Sequence, residues 1–356
     1  MTAPSAQDAQ QASSSSSSTP QSLYEGSTQF RHWRFSPEQL AQMRSTLNQG
    51  AVSAIRDAFE ADSPGSSANV SFLTAEEEHL LVKLYVGKIS QLCGHFRFPE
   101  EVEATAVSYM KRFYLKNTVM DWHPKNVMLT ALFLATKTTN HPISLESYAS
   151  QIPRTAPSDV LDLEFLVAQS LGFDFAVWHS HRALWGIWLD VQTLPDISIE
   201  ELSRAYETAL GHIRAARLTD AEFIYTPSQI ALACFSLASP TLASAWARAK
   251  FPSTPHPPVL DVLEPIKALI LRDGSPPDVE AVREVDRRLR LCKNPEKIPG
   301  TNAYNKKQQE LERKADEKRR RKAEAARIAM EEGDPFGSVL AKKAVAADMD
   351  DDDDDD

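Results

Sequence analysis

Two segments that are apolar around the whole circumference of a helix constrain the fold of this chain more than any other feature. One follows Pro124 and the other follows Pro227, and superposing the two prolines aligns Val127 with Ile230. A helix that is apolar all round is buried all round, so neighbouring helices must wrap each segment. The repeat therefore favours two similar helical bundles in tandem. A single matched pair of apolar helices also arises by chance, so the repeat alone leaves this interpretation open.

Helix start signals delimit the other predicted elements. Ser36 followed by proline, with Gln39 three residues later, is typical of a helix N-terminus, and Thr74 followed by three glutamates within four residues is another. We expect a further helix from Pro157 to about Leu171, ended by Gly172. The chain has only 12 glycines and no alternating strand pattern of useful length, so the prediction is an all-α fold.

Breaks rich in Ser, Gly and Pro divide the chain into seven segments. The serine-rich start and the Asp-rich end lack the apolar side chains that a core needs. We expect a disordered Ser/Gln-rich tail over residues 1–30, an N-terminal helix over 31–61, the first bundle over 70–175, the second bundle over 176–273, a C-terminal helix over 277–295, a charged helix over 303–332 and an acidic disordered tail over 333–356.

The charge of the chain is distributed unevenly. The formal net charge is −10, but eight of the last nine residues are aspartate and the stretch Asn305–Arg327 carries a net charge of +5. The remaining residues carry −7, so the folded part is mildly acidic. A protein that clamps a nucleic-acid backbone needs a basic stripe, and this balance argues against that function. The three cysteines are too widely spaced for a disulfide framework or a metal knuckle.

Three sequence strings identify the class of fold. They are Arg31-His32-Trp33 with Phe35-Ser36, then Tyr109-Met110-Lys111-Arg112-Phe113-Tyr114-Leu115, and finally Leu218-Thr219-Asp220-Ala221 with Tyr225-Thr226-Pro227-Ser228-Gln229-Ile230-Ala231-Leu232. Together with the two tandem bundles, these strings resemble the cyclin family and, within it, the cyclin H branch. The two bundles are then the two cyclin boxes. The resemblance covers roughly Arg31 to Cys292 and leaves out the first thirty residues and the charged C-terminal stretches.

The resemblance implies a regulatory subunit rather than an enzyme. Proteins of this branch activate a cyclin-dependent kinase, form the CDK-activating kinase with a RING-finger assembly factor, and belong to the general transcription factor TFIIH, whose kinase phosphorylates RNA polymerase II. We therefore expect a kinase subunit, a RING-finger subunit and the TFIIH core as partners, in the nucleus, with no sequence-specific nucleic acid, membrane or cofactor. The sequence also contains no Gly-rich phosphate loop, no Gly-x-Ser-x-Gly and no His-Arg-Asp loop.

Two charged residues are the candidate kinase-binding residues. In the cyclin family a Lys at the end of the third helix and a Glu in the fifth contact the kinase backbone near its C-helix, and the matching positions here are Lys137 and Glu164. Each residue also has an ordinary explanation. The helix dipole favours a Lys in the last turn, and an acid that interrupts an apolar surface needs a partner, which is either internal or from another chain. Neutral residues, Thr138-Thr139-Asn140, follow Lys137 where many cyclins carry acids.

The other candidate sites are weaker. Ser36 precedes a proline and is a candidate phosphorylation site, because phosphate is stabilised at a helix N-cap; a plain N-cap is the simpler interpretation.

His179 and His181 indicate a surface or helix-start role rather than a metal site, and no metal site is expected. The Asp348–Asp356 run indicates a solvated tail. A candidate nuclear-import signal, with a solvated helix face as the alternative, is formed by Lys318, Arg319, Arg320, Arg321 and Lys322.

Three alternative functions compete with this prediction. Another transcription cyclin, of the cyclin C type, shares part of the third string. A cyclin-fold nucleic-acid binder of the TFIIB type requires basic faces and often a zinc ribbon, which the net charge and the cysteine spacing oppose. A metabolic all-α enzyme requires a paired acid and base, and the sequence offers no such pair that can be defended.

Overall fold

Every regular element in residues 22–252 and 260–331, which are the residues that the computed structural model describes, is a helix. The all-α prediction is therefore confirmed. The described chain forms two compact units. The larger contains the residues up to Gln49 together with Leu73–Arg288, and the smaller contains Gly50–Phe72 together with the residues from Leu289 onward.

The N-terminal region forms two helices, α1 (Thr28–His32) and α2 (Pro37–Asp62), instead of the single helix expected over 31–61. The break lies before Pro37 because a residue that precedes proline avoids the helical region. Ser36 Oγ accepts a hydrogen bond from the Gln39 amide at 3.2 Å, and Gln39 Oε1 accepts one from the Ser36 amide at 2.8 Å. The expected tail over 1–30 extends too far, since α1 begins at Thr28; residues 1–21 lie outside the described residues.

The first bundle surrounds one apolar helix. Its members are α3 (Ala75–Phe96), α4 (Glu100–Phe113), α5 (Pro124–Thr138), α6 (Leu145–Ser150), α7 (Ser158–Leu161) and α8 (Glu164–Ser170). Helix α5 contacts α3, α4, α7 and α8, as the sequence predicts for a helix that is apolar on every side. The single helix expected from Pro157 is two helices, separated by Asp162 and Leu163, and near this break the carbonyl of Val160 accepts a bond from the Thr130 hydroxyl of α5 at 3.0 Å.

The second bundle repeats this plan. Its members are α9 (Ser180–Val191), α10 (Ile199–Arg217), α11 (Ala221–Ile224), α12 (Pro227–Ala238), α13 (Pro240–Lys250) and α14 (Glu264–Asp273). Helix α12 is the central one and contacts α9, α10, α13 and α14. Thr226 caps its start in a capping box with Gln229. None of the described helices is long and apolar enough to cross a membrane.

Buried ion pairs join the two bundles within the larger unit. Lys111 of α4 has a side chain only 7% exposed, and its Nζ lies 2.7 Å from a carboxylate oxygen of Glu222 in α11. Arg217 of α10 pairs with Glu100 at 2.7 Å and with Glu103 at 2.9 Å, both in α4. Because a charge in the interior needs an opposite partner, these pairs fix α4 against α10 and α11.

Two further helices follow the second bundle, α15 (Val279–Cys292) and α16 (Asn302–Glu331). Single 3₁₀ turns lie at Ser66–Asn69, Asp261–Leu263 and Pro295–Lys297. In the smaller unit, the start of α16 is capped by Asp62, whose carboxylate accepts from the Ala303 amide at 3.0 Å. The expected acidic tail over 333–356 lies outside the described residues.

Candidate functional site

Lys137 and Glu164 lie side by side on the surface of the first bundle. Lys137 occupies the last turn of α5, Glu164 is the first residue of α8, and the lysine Nζ is hydrogen-bonded to a glutamate oxygen. The lysine Nζ also lies 5.0 Å from the centroid of the Phe133 ring, within cation–π range. The structure therefore brings the two predicted residues together and supplies Glu164 with a partner from its own chain. The pair remains accessible, since the lysine side chain is 40% exposed and the glutamate side chain 20%.

Two exposed phenylalanines lie on α8 and on the turn that follows it. Phe165 comes directly after Glu164 and is 71% exposed, and Phe173 is 56% exposed. Their ring centroids are 6.3 Å apart in an edge-to-face arrangement. Exposed aromatic side chains grouped beside a charged pair are typical of a protein-binding surface. We call Lys137, Glu164, Phe165 and Phe173 the docking patch.

Sequence reasoning missed both phenylalanines. An apolar residue at helical spacing predicts burial, and nothing local to Phe165 or Phe173 shows that its ring faces solvent. One signal was available, because Gly172 marks a left-handed helix end and the next residue then lies on a turn. Gly172 has φ 61°, and Phe173 itself has φ 58°. A bulky residue is uncommon in this left-handed region, so surrounding contacts must hold Phe173 there.

The two histidines of the His-x-His pair lie at the start of α9, and they are largely buried. The rings of His179 and His181 stack with centroids 5.1 Å apart, and His179 Nε2 lies 3.0 Å from the Thr105 hydroxyl. Burial lowers the pKa of both imidazoles, that of His181 to about 4. Within the described residues, no three His, Cys, Asp or Glu side chains come together in a way that could hold a metal ion. The Asp348–Asp356 run lies outside those residues.

The two remaining sequence candidates lie on helices. Ser36 is the N-cap of α2, and its hydroxyl also donates to Glu38 at 2.7 Å. The basic run Lys318–Lys322 lies on the exposed part of α16, where Arg319 and Arg321 pair with acids one turn earlier. Both candidates remain predictions.

The structure gives a physical role to the third sequence string. Asp220 receives two hydrogen bonds of 2.7 Å from the guanidinium of Arg44 in α2, across 176 residues of sequence. Burial alone would raise the pKa of Asp220, but this bidentate pair holds it well below its usual range. The string therefore ties the N-terminal helix to the second bundle.

Comparison with known families matches both bundles. The cyclin N-terminal domain matches residues 74–176, and the cyclin C-terminal domain matches residues 179–271. Two tandem bundles, each wrapped around one apolar helix, define the cyclin fold, and the chain belongs to the cyclin family.

Within that family the chain is similar to proteins of the cyclin H type. Cyclin mcs2 of Schizosaccharomyces pombe is 31% identical over 83% of this chain and 91% of its own length. Cyclin CCL1 of Saccharomyces cerevisiae is 34% identical over 65% of this chain and 62% of its own length. Cyclin-H of Xenopus laevis is 31% identical over 59% of this chain and 66% of its own length.

Solved structures give the same result. A chain in the structure of the CAK complex of Chaetomium thermophilum bound to ATP-gamma-S is 31% identical, with a TM-score of 0.73 over 82% of this chain and 94% of that chain. A chain in the structure of the yeast TFIIK complex (Kin28/Ccl1/Tfb3) is also 31% identical, with a TM-score of 0.59 over 69% of this chain and all of that chain.

Proposed function

We propose that this cyclin is the regulatory subunit of a cyclin-dependent kinase, in a CDK-activating kinase that also serves TFIIH. The observation that carries the proposal is the docking patch: an accessible Lys137–Glu164 pair flanked by two exposed phenylalanines. Its similarity to cyclin H, and to chains from CAK and TFIIK complexes, supports this class of partner. The chain performs no bond chemistry itself and acts by binding.

The patch activates the kinase by selecting one conformation. The resemblance to cyclins implies that Lys137 and Glu164 bond to the kinase backbone near its C-helix, which holds that helix inward so that the kinase Lys–Glu pair forms. A partner that binds the active conformer better than the inactive one shifts the population toward it. Because the two residues already pair in the free cyclin, their side chains are oriented before the kinase arrives, and the exposed phenylalanines supply apolar area.

The wider assembly follows from the same similarity. We propose a RING-finger subunit and the TFIIH core as further partners and the nucleus as the location. The exposed basic run Lys318–Lys322 on α16 is the candidate import signal. Ser36, as the N-cap of α2, is a candidate site for the bound kinase or another proline-directed kinase.

The proposal is tested by reversing charge in the docking patch. Glu164→Lys places two cations side by side, and we expect kinase binding and activation to fall by at least tenfold, which is about 1.4 kcal/mol. The matched control is Glu101→Lys, which breaks the exposed pair with Arg182 (2.8 Å) outside the patch. Binding is measured by titration with the purified kinase, and folding by circular dichroism.

Three outcomes distinguish the possible functions. Loss of kinase binding by Glu164→Lys, with normal folding and an unaffected Glu101→Lys control, supports the patch. Kinase binding equal to wild type in a folded Glu164→Lys protein contradicts the assignment of the patch. Strong, steeply salt-dependent binding of the chain to DNA would favour the nucleic-acid alternative instead.

A further inference from the structure

Two of the sequence strings that resemble cyclins meet at the turn that carries Phe173. We propose that His32 and Trp33 of the N-terminal segment, with Arg112 of α4, are positioning residues that hold Phe173 in the docking patch by binding Asp174. The inference rests on the proposed function, because it assigns a role to the N-terminal segment in presenting that patch.

The first contact is with the carboxylate of Asp174. His32 Nδ1 lies 2.7 Å from Asp174 Oδ2, and the Trp33 indole N–H donates to the same oxygen at 3.2 Å. The Asp174 side chain is only 15% exposed, so His32 and Trp33 supply hydrogen-bonding partners that water supplies to an exposed carboxylate. His32 and Asp174 are 142 positions apart in the sequence.

The second contact is with the backbone of the same residue. Arg112 donates a hydrogen bond to the carbonyl of Asp174 at 3.1 Å, and Arg112 is only 2% exposed. Its guanidinium also lies 4.9 Å from the centroid of the Trp33 ring. Trp33 therefore contacts both groups that hold the turn, the carboxylate through its N–H and the arginine through its ring.

The third contact ties the turn to the helix that bears Lys137. The Tyr109 hydroxyl donates to the carbonyl of Phe175 at 2.7 Å and lies 3.0 Å from the Thr138 hydroxyl, directly after Lys137. Burial raises the pKa of Tyr109 to about 12, which keeps this hydroxyl protonated. One side chain thus connects α5 and the turn, two of the elements that contribute to the docking patch.

The turn needs such contacts because its own conformation is unfavourable. Phe173 has φ 58° while more than half of its side chain faces solvent, so burial of its own ring does little to stabilise the left-handed backbone. Bonds on Asp174 and Phe175 fix the two residues that follow and so determine where Phe173 points. If these bonds are lost, the competent orientation of Phe173 becomes one of several, and the apparent kinase affinity falls in proportion to the fraction of molecules that keeps that orientation.

The first variant removes one hydrogen bond while keeping an aromatic side chain at position 33. Trp33→Phe deletes the N–H that donates to Asp174, and Asp174→Asn deletes the charge. The matched control is Trp178→Phe, a change of the same kind in a 43% exposed tryptophan whose backbone, not its side chain, bonds the N-terminal Gln29. The full chain is titrated with the purified kinase, and association and dissociation rates are recorded.

We expect Trp33→Phe and Asp174→Asn to weaken kinase binding by about tenfold, mainly through slower association, because fewer molecules present Phe173 correctly. Trp178→Phe should bind as wild type does. A second readout is ¹⁹F NMR of the full chain with fluorophenylalanine at position 173. The wild type should give one resonance, and both positioning variants should broaden or split it, which a change in overall stability alone would not do.

The outcomes separate this inference from the proposed function. If Glu164→Lys weakens kinase binding but Trp33→Phe and Asp174→Asn bind normally and leave the ¹⁹F resonance unchanged, the positioning role is wrong and the docking patch stands. If the wild-type chain does not bind the kinase, the proposed function fails, and if it binds the kinase but Glu164→Lys has no effect, the assignment of the docking patch fails. In that case, an unchanged ¹⁹F resonance in Trp33→Phe and Asp174→Asn also overturns the positioning role. A split resonance in these variants shows instead that Trp33 and Asp174 position Phe173 even though the docking patch is wrongly assigned.

Discussion

Each bundle is built around its own central helix, but the two central helices differ at their C-terminal ends. Helices α5 and α12 both start at a proline and are both enclosed by their neighbours. In the alignment of the two prolines, however, the position of Lys137 in the first bundle is occupied by Pro240 in the second. Helix α12 ends at Ala238, and Pro240 opens the next helix. Only the first bundle can therefore place a cation there beside an acid.

The second bundle uses its charged residues for internal contacts instead. Asp220 and Glu222, on either side of the start of α11, pair with Arg44 and Lys111, so these acids fasten the N-terminal helix and the first bundle to the second. One repeated core therefore supports two different surfaces. The first bundle has an accessible ion pair on its surface, whereas acids of the second bundle bind the N-terminal helix and the first bundle.

The largest expected effect tests whether the two central helices are equivalent. Leu132 and Phe235 occupy matching positions and are both fully buried. We expect Leu132→Ala and Phe235→Ala each to lower the free energy of unfolding by about 3–5 kcal/mol, because each leaves a cavity in a core. The measurement is urea denaturation of the full chain. A loss below about 1 kcal/mol for either variant would show that its bundle is not built around that helix.

A second prediction concerns the contact between the bundles. Glu222→Gln leaves the Lys111 ammonium without its anion at 7% exposure, and we expect the free energy of unfolding to fall by about 3 kcal/mol. The matched control is Glu101→Gln in the exposed pair with Arg182, with an expected loss below about 1 kcal/mol. Equal losses from the two variants would mean that the pair between the bundles contributes no more than a surface pair.

A third prediction uses one histidine from each bundle. Burial lowers the pKa of His79 in α3 and of His181 in α9 to about 4, against the ordinary value of 6.5 for an unfolded chain. The unfolded chain therefore binds more protons between pH 6.5 and pH 4, so their contribution to stability is complete above pH 6.5 and is lost as the pH falls toward 4. We expect each of the two histidines to lower the free energy of unfolding by about 2 kcal/mol between pH 7.5 and pH 5.

The control for this pH dependence is a pair of neutral substitutions. His79→Gln and His181→Gln should each flatten the decline between pH 6.5 and pH 5, because each removes one group that gains a proton on unfolding. Thermal unfolding followed across that pH range measures the slope. A slope that stays unchanged in both variants would assign the pH dependence to other groups.

The smallest expected effect concerns the cap of the second central helix. Thr226→Ala removes the hydroxyl that accepts from the Gln229 amide, and we expect a loss of about 1 kcal/mol in the free energy of unfolding. Thr226→Ser keeps the acceptor and should restore most of it. If both variants unfold at the same urea concentration, the capping box contributes nothing measurable to α12.

Much of the fold was predictable because its signals are local. The capping boxes at Thr74 and Thr226 and the proline starts of α5 and α12 depend on residues within one turn of each other, so the sequence displays them directly. The single helix expected from Pro157 was wrong for the opposite reason. The helix is interrupted after Leu161, where this part of the chain contacts α5 through a bond from Thr130, thirty residues earlier, and no local pattern shows that contact.

The candidate site was predictable only in part. The resemblance to cyclins placed Lys137 and Glu164, but their pairing and the exposure of Phe165 and Phe173 came from the structure. Whether an apolar side chain is buried depends on what packs over it, and helical spacing alone cannot distinguish a covered face from an open one.

The sequence by itself determined an all-helical chain with two enclosed central helices, because periodicity, caps and prolines act over a few neighbouring residues. The tertiary structure alone decided which distant side chains meet. Arg44 reaches Asp220 across 176 residues, and His32 reaches Asp174 across 142. Such contacts require the bundles to be packed first, since a charge or hydrogen-bonding group has no partner at that separation until the intervening helices have brought the two ends together.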